Sequence, residues 1–317
     1  MKIKKLHITI ILLALLTTTQ AQIIIDKDTS YTVNSTYKKY IKKFPQIEIV
    51  KPKYFENVIE KKDVLYKEIG TRKLYLDAFY HKSENLKPAV ILLHGGGWKS
   101  GDKSMLIPMA QYIANKGYAC FTVEYRLSTE ASFPASIFDV KKAIKYVKEN
   151  AKVYNIDTAK VAVLGCSSGG QMTALIGTTN YNHNFEDKDD TLKHTSAVQA
   201  IIDIDGVLAF KHPDSQEGEV ASLWLGGSFE EEPNIWNQAS ALTYIDKNTP
   251  PILLIGSQYP RFLAGKKEAI EILNNYEIYN QVEIFQDSPH SFWLFHPWFN
   301  DTINYITTFL NKTLIKN

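Results

Sequence analysis

Apolar and polar side chains follow distinct patterns in successive parts of the chain. Residues 74–79 alternate between the two, which is typical of a half-buried antiparallel strand. Residues 89–93 form an unbroken apolar run, which indicates a strand covered on both faces. Further strands are predicted at 119–124, 161–164, 199–204, 251–255 and 282–285. Helical patterns separate the strands at 105–116, 136–149, 266–275 and 302–310, and after Gly169.

This alternation predicts an α/β fold, in which one mostly parallel sheet carries helices on both faces. Two stretches interrupt it. Residues 181–195, rich in Asp, Asn and Lys, are predicted to form a solvated loop, and residues 207–247 are a candidate cap over the site. Residues 22–62 give no long periodic signal, and we interpret them as an N-terminal lead-in to a domain over 63–317.

The first 21 residues have the pattern of a secretory signal peptide. Three lysines precede an apolar run at 8–16 that is too short to cross a bilayer as a permanent helix. Small residues at a cleavage-like site, 19–21, follow the run. We therefore predict cleavage near residue 21 and a secreted or periplasmic protein; a membrane anchor is the weaker alternative.

The composition of the 317-residue chain, 44% apolar and 22% charged, is that of an ordinary globular protein. Its formal net charge is +2, and loss of the three signal-peptide lysines would change this to −1. A chain so close to neutral has no global attraction for nucleic acid or anionic lipid. We predict neither nucleic acid nor membrane as a partner after signal cleavage, and the oligomeric state stays open.

Residues 165–169, Gly-Cys-Ser-Ser-Gly, fit the pattern G-x-S-x-G. They stand between a predicted buried strand and a predicted helix, the context in which this pattern forms a sharp turn with an exposed serine. A Cβ at Gly165 or Gly169 would clash in such a turn. The context predicts Ser167 as the nucleophile of an acyl-transfer reaction.

A second glycine-rich stretch, His94-Gly95-Gly96-Gly97-Trp98, follows the strand at 89–93 directly. Glycines allow backbone N–H groups to turn toward a ligand. Donors from Gly96 or Gly97 and from Ser168 would form an oxyanion hole, where each donor is worth about 2.7–4 kcal/mol. Neither G-x-G-x-x-G nor a P-loop is present, so we predict no nucleotide cofactor.

An acylating serine needs a general base, which is most often a histidine. Among the eight histidines, His290 follows the last predicted strand, where the chain order serine, acid, histidine would place the base. His296 is the competing candidate, and we assign it a structural role at the start of the last helix. The spacing of the two does not match a zinc pair, and we predict no metal.

These motifs together resemble the α/β-hydrolases of the hormone-sensitive-lipase-like branch, in particular secreted bacterial carbohydrate esterases such as acetyl-xylan and feruloyl esterases. The resemblance covers roughly residues 64–310. It rests on 94–98, on Tyr125-Arg126-Leu127 with Phe133-Pro134-Ala135, on 165–170, on Pro250-Pro251, and on His290 with Phe292. It implies an α/β-hydrolase fold with eight strands, a Ser-His-acid triad and ester hydrolysis without a cofactor. The family's strand order also separates Cys120 from Cys166, which implies two free buried thiols.

The acid is where the sequence departs from the family pattern. Family members usually have an aspartate just beyond the seventh strand, but residues 252–267 contain no carboxylate. Some α/β-hydrolases carry the acid after the sixth strand instead. That favours Asp205, at the carboxyl end of this strand, over the deeper Asp203, which could support it from behind. Asp287, three residues before His290, is the other candidate.

The combined pattern predicts a secreted serine esterase that removes acetyl or feruloyl groups from plant-type polysaccharides. Trp98 and Trp293 are candidates for substrate contact, because aromatic rings stack on sugars, although most tryptophans are core residues. Arg261 is a candidate to hold a carboxylate of the protein or of an acidic sugar. A peptidase of the same fold and a non-catalytic binding protein remain as alternatives.

Overall fold

A computed structural model describes residues 28–81 and 85–315, and the predicted signal peptide lies outside them. The strands in chain order are β1 (Glu48–Ile49), β2 (Ile59–Ile69), β3 (Arg72–Tyr80), β4 (Lys87–Leu93), β5 (Ala119–Val123), β6 (Ile156–Cys166), β7 (Ala200–Ile204), β8 (Ile252–Gly256), β9 (Asn280–Ile284) and β10 (Phe295–His296). The α-helices are α1 (Val33–Tyr40), α2 (Ile107–Asn115), α3 (Ala135–Glu149), α4 (Ala151–Tyr154), α5 (Ser168–Thr178), α6 (Gly218–Leu225), α7 (Pro233–Gln238), α8 (Lys266–Asn275) and α9 (Trp298–Leu310). None of the helices in the described ranges is long and apolar enough to cross a membrane.

The main sheet has the strand order β2-β3-β5-β4-β6-β7-β8-β9. β2, β3 and β5 pair antiparallel, whereas every neighbouring pair from β5 across to β9 is parallel. This arrangement confirms the predicted α/β-hydrolase fold with an eight-stranded, mostly parallel sheet. β1 and β10 form a separate antiparallel pair.

The sheet separates two apolar layers, as the unbroken apolar strands predict. Along β4, Ile91 and Leu93 face the layer that contains α3 and α5, and Val90 and Leu92 face the layer that contains α2 and α9. Alternate side chains of one strand point to opposite faces, so a strand buried on both faces must be apolar at every position.

The residues predicted as a lead-in are packed into this body. Phe44, Ile47 and Val58 are buried in the layer that contains α9, and β1 pairs with β10. The predicted boundary at residue 62 falls inside β2, a strand of the main sheet. A helix of 8 residues and a strand of 2 residues are too short to give a periodic signal, which explains why the sequence pattern did not reveal them.

The stretch 181–195, predicted to be a solvated loop, is tied to α3 by ion pairs. Lys145 contacts both Glu186 and Asp190, and Lys141 lies 3.2 Å from Glu186. The Asp190 side chain is only 3% exposed. Most of the stretch is exposed, as predicted, but two of its carboxylates, Glu186 and Asp190, pair with buried lysines of α3.

Cys120 and Cys166 are both buried and unbridged. Cys120 lies on β5 and Cys166 on β6, and β4 runs between these strands. The prediction of two free buried thiols is confirmed.

Candidate active site

Ser167 occupies the turn between β6 and α5, with a backbone φ of +55° that is unusual for a residue other than glycine. Its two neighbouring glycines are required by space. A Cβ on Gly165 would lie 2.1 Å from the carbonyl oxygen of Gly169, and a Cβ on Gly169 would lie 2.3 Å from that of Leu93. The strand and the helix therefore approach closely enough to expose the serine at the edge of the sheet.

Ser167, His290 and Asp205 form a continuous hydrogen-bonded chain. The Ser167 Oγ lies 2.9 Å from Nε2 of His290, and Nδ1 of the same ring lies 2.8 Å from Asp205 Oδ2. The second carboxylate oxygen of Asp205 accepts a hydrogen bond of 2.7 Å from the Ser257 N–H. With Nδ1 donating to the carboxylate, Nε2 is left to accept the serine proton.

The acid reaches the site from the end of β7. Asp205 is the first residue beyond that strand and has a φ of +54°, which turns its side chain toward His290. Ser257, the first residue beyond β8, stands at the start of the segment where the family usually places the acid, and it supports Asp205 through its N–H.

The two other candidate acids lie elsewhere. Asp203 is completely buried, its Oδ1 accepts the Gly206 N–H at 2.7 Å, and burial raises the pKa of its carboxyl well above the ordinary value. Asp287 is exposed in the turn after β9, and no hydrogen bond joins it to His290 within the described chain. Of the candidates, only Asp205 therefore meets the imidazole.

Gly96, Gly97 and Ser168 lie beside the serine. Gly96 and Gly97 have φ values of +132° and +60°, and in the described part of the chain their N–H groups donate to no backbone acceptor. Ser168 is the first residue of α5, where backbone N–H groups lack partners within the helix. All three residues line a cavity next to Ser167.

Two cavities meet at Ser167 and share Gly97 and Val220 as lining residues. The smaller, of about 130 Å³, is walled mainly by the apolar side chains Trp98, Val207, Val220 and Phe262. The larger, of about 290 Å³, is walled by His290 and by residues 30–40 of the N-terminal segment. The candidate cap at 207–247 thus contributes Val207 and Val220 to the site.

The two candidate tryptophans are not open platforms. Trp98 lines the smaller cavity but is 7% exposed, stacked on Trp224 at 4.8 Å, with its Nε1 donating to Gln171. Trp293 lines neither cavity and is 2% exposed. The assignment of Trp293 to substrate contact therefore needs correction, because its ring is buried edge-on against His290.

Arg261 is exposed and lines the smaller cavity. Its guanidinium lies 4.5 Å from the ring centre of Phe262, and its Nη1 donates to Gln216 at 3.2 Å. Phe262 in turn stacks on His290, with ring centres 3.6 Å apart. The sequence analysis missed Phe262, since nothing in the chain beyond β8 indicates that it would face a residue after β9.

Tyr31 is the second residue that the sequence analysis missed. Its hydroxyl lies 3.0 Å from the Ser291 hydroxyl, and its N–H donates to the Ser100 hydroxyl at 3.0 Å. It therefore joins the glycine-rich loop to the turn that carries His290. It stands in a stretch without periodicity, so only the contact itself reveals its position.

Cys166 precedes the serine but is chemically unlike it. Burial raises the pKa of its thiol well above the ordinary value, and nearby Asp203 and Asp205 act in the same direction. The thiol therefore stays protonated. Among the described residues, no group of three or more His, Cys, Asp or Glu side chains is placed to hold a metal ion.

Known proteins share this fold and parts of this sequence. Esterase LipC of Mycobacterium tuberculosis (strain ATCC 25618 / H37Rv) is 27% identical over 188 residues, which cover 57% of this chain and 46% of LipC. The chain thus spans about half the length of this relative. A truncated carbohydrate esterase from gut microbiota has a TM-score of 0.69 at 23% identity, over 82% of this chain and 100% of its own.

An acetyl ester-xyloside bifunctional hydrolase from Caldicellulosiruptor lactoaceticus has a TM-score of 0.63 at 20% identity, over 77% of this chain and 86% of its own. These comparisons confirm the resemblance to α/β-hydrolase esterases. A family model described as BD-FAE matches residues 75–262, which is more than half of the chain. The chain therefore belongs to the BD-FAE family.

Proposed function

We propose that the protein is a secreted serine esterase that removes small acyl groups, chiefly acetyl, from carbohydrates. The observation that carries the proposal is the hydrogen-bonded chain from Ser167 through His290 to Asp205. The relatives named as esterases and the carbohydrate esterases of the same fold support it. The signal-peptide pattern at residues 1–21 supports secretion.

The reaction proceeds in two steps. Ser167 Oγ attacks the ester carbonyl carbon while its proton passes to Nε2 of His290, and the carbonyl oxygen becomes an oxyanion beside the N–H groups of Gly96, Gly97 and Ser168. When the C–O bond breaks, the imidazolium gives this proton to the leaving alcohol. Water then repeats the sequence on the acyl-serine, releasing the acid and restoring the hydroxyl.

The smaller cavity fits a small acyl group. Its volume is about 130 Å³ and its walls are mostly apolar. A dry protein cavity of about 150 Å³ holds one benzene molecule, so a cavity of this size suits an acetyl group better than the larger feruloyl group. Acetyl is accordingly the favoured acyl group.

The larger cavity fits the alcohol. The residue that protonates the leaving alcohol is His290, and His290 lines this cavity and not the smaller one. At about 290 Å³ it is at the lower end of ordinary ligand pockets, the size of a single sugar ring. The polar side chains of Tyr31, Ser35 and Lys39 on its wall suit a carbohydrate.

Hydrolysis of p-nitrophenyl acetate and release of acetate from acetylated xylan test the proposal. Ser167→Ala should lower kcat by about 10⁶-fold, as removal of such a nucleophile does in a serine protease. Cys166→Ala is the matched control, since it changes the adjacent residue and should keep activity. Equal rates for wild type and Ser167→Ala, or sugar binding by wild type without turnover, would overturn the assignment.

A further inference from the structure

The wall of the larger cavity comes from a part of the chain that the family match does not include. Residues 30–40 line this cavity, whereas the BD-FAE match begins at residue 75. The segment is anchored on both sides of the serine: Tyr31 bonds to Ser100 and to Ser291, and Lys99 lies 3.3 Å from Asp28. The segment thus lies outside the family match, and its contacts hold it in place beside the cavity.

The segment presents positive charge. Between residues 29 and 47 the chain has four lysines and no carboxylate. Lys39 is exposed and lines the larger cavity, with its Nζ 5.2 Å from the ring centre of Tyr40. Lys43 follows one turn later, and its Nζ donates to the Tyr259 hydroxyl at 3.1 Å.

Arg261 extends this charge across the mouth of the site. Burial raises the pKa of the Tyr40 hydroxyl to about 12, Tyr259 and Asp205 act in the same direction, and the Arg261 guanidinium opposes them. Lys43 contacts Tyr259, and Arg261 follows Tyr259 by two residues, so we call Lys39, Lys43 and Arg261 together the cationic rim. The Tyr40 hydroxyl stays protonated and can donate a hydrogen bond to a sugar.

The rim has no counter-charge in the described ranges. Lys39, Lys43 and Arg261 form no ion pair there, in contrast to Lys67, which contacts Asp139 and Asp187. The nearby carboxylates, Asp205 and Glu217, have other hydrogen-bond partners.

Asp205 is buried against His290 and Ser257. Glu217, which lines the smaller cavity, accepts hydrogen bonds from the Lys211 N–H and the Ser215 hydroxyl. In the described ranges neither carboxylate forms an ion pair with Lys39, Lys43 or Arg261, so these cations can still pair with a ligand that brings its own negative charge.

We propose that the cationic rim is a subsite for a carboxylate on the alcohol side of the ester, so that the preferred substrate is an acylated uronic acid or a uronate-bearing polysaccharide. This inference rests on the proposed esterase function. Uronic acids carry both hydroxyl groups and a carboxylate. The polar wall of the larger cavity suits the hydroxyl groups, and the cationic rim suits the carboxylate. An ammonium or guanidinium group recognises such a carboxylate by charge-assisted hydrogen bonds.

A matched pair of substrates tests the subsite: an acetylated methyl glucuronoside and its carboxamide, which differ in charge but hardly in shape. The measured quantity is the ratio of their kcat/KM values in the full chain. Wild type should prefer the carboxylate, and Lys39→Gln, which changes the rim residue that lines the larger cavity, should lower the ratio by about fivefold, the size of one exposed ion pair. Added salt should also lower the wild-type ratio, because it screens the charges of the rim.

Lys38→Gln is the matched control, because Lys38 is the neighbouring exposed lysine of α1 and lines neither cavity. It should leave the ratio unchanged. A wild-type ratio of one, together with turnover of p-nitrophenyl acetate, would overturn the subsite and leave the esterase function standing.

Equilibrium binding provides a second test that does not depend on turnover. Calorimetric titration of the Ser167→Ala chain with a glucuronate disaccharide should show tighter binding than titration with xylobiose, and Lys39→Gln should remove the difference. Equal affinity for the two sugars would overturn the subsite whether or not any ester is cleaved.

Discussion

The carboxyl edge of the parallel sheet and the N-terminal segment contribute to the site in different ways. The edge supplies Ser167 and Asp205 directly after β6 and β7, inside the region that matches the family. The N-terminal segment, residues 28–50, supplies a wall, a charge pattern and two tethers, and it lies outside that region. Ser167 and Asp205 thus lie at the ends of strands inside the matched region, whereas His290 and the N-terminal wall lie outside it.

This difference has a physical basis. Parallel strands hold their neighbours in fixed register, so groups at adjacent strand ends keep their separations when the surface changes. A segment attached by a few hydrogen bonds and apolar contacts can change its side chains without disturbing that register. Substitutions in the two regions should therefore have different consequences, and the following predictions test this from the largest effect to the smallest.

The largest effect is expected at the sheet edge, from Asp205→Asn. The amide would favour the wrong imidazole tautomer while keeping the shape of the site, a change that costs about 10⁴-fold in kcat in a serine protease. Asp203→Asn and Asp287→Asn are the controls, and kcat/KM for p-nitrophenyl acetate is measured for all three. If Asp205→Asn proved the mildest of the three, the assignment of the acid to β7 would be wrong.

The second effect concerns stability and asks whether the N-terminal segment is part of the folded body. Phe44 is 3% exposed and packs edge-on against Trp298 at 5.9 Å. Phe44→Ala should lower the free energy of unfolding by about 3–5 kcal/mol, measured by urea denaturation, because it leaves a cavity in the layer around α9. Tyr54→Ala, at a side chain 75% exposed, is the control and should change little. Equal unfolding free energies for the two variants would show that the N-terminal segment is only loosely attached to the folded body.

A third, smaller effect is expected where the two regions touch. Tyr31→Phe removes the hydroxyl that bonds to Ser291, next to His290. A single hydrogen bond of this kind is worth about 1 kcal/mol, so kcat/KM for an acetylated sugar should fall by about fivefold. Tyr37→Phe, in α1 with its ring against Phe295, provides the comparison and should leave the rate near that of wild type.

The smallest effect is the change that acidification makes in the contribution of Asp28 to the free energy of unfolding. Hydrogen bonds from the Ser30 hydroxyl and N–H, together with Lys99, lower the pKa of Asp28 to about 2 from its ordinary 3.8. A carboxyl whose pKa is lowered by folding stabilises the folded protein at every pH above its ordinary pKa. This contribution is lost as the pH falls toward 2. Near the surface it amounts to at most about 1 kcal/mol.

The difference in unfolding free energy between wild type and Asp28→Asn should therefore be present at pH 5 and absent near pH 2. A difference that stays constant over this range would show that the tether contributes nothing through its charge.

The succession of strands along the chain, the serine turn and the histidine could be predicted because each depends on local chemistry. The strand at 89–93 is apolar throughout since both of its faces are covered, and Gly165 and Gly169 are required by contacts shorter than 2.5 Å to a Cβ. The position of Asp205 could be argued from strand ends. Its partner Ser257 could not, because that contact joins residues 52 positions apart.

The walls of the site were harder to predict for the same reason. Trp293 was assigned to substrate contact on its residue type, whereas its environment buries it against His290. Phe262 and Tyr31 carry no local signal, and their roles depend on contacts between distant parts of the chain. Short elements such as β1 were missed because a pairing with β10 cannot be read from two residues.

The location of the acid on β7 has a consequence for how this enzyme can diversify. In a protein whose acid follows the next strand, the loop that holds it is constrained by the reaction. Here the loop after β8 supports the acid only through the Ser257 backbone N–H, which nearly any residue can supply. The position of Arg261 is therefore free to mutate while the Ser257 N–H still supports the acid, whereas Phe262 is held by its stack on His290. New substrates can be acquired through Arg261 at little catalytic risk.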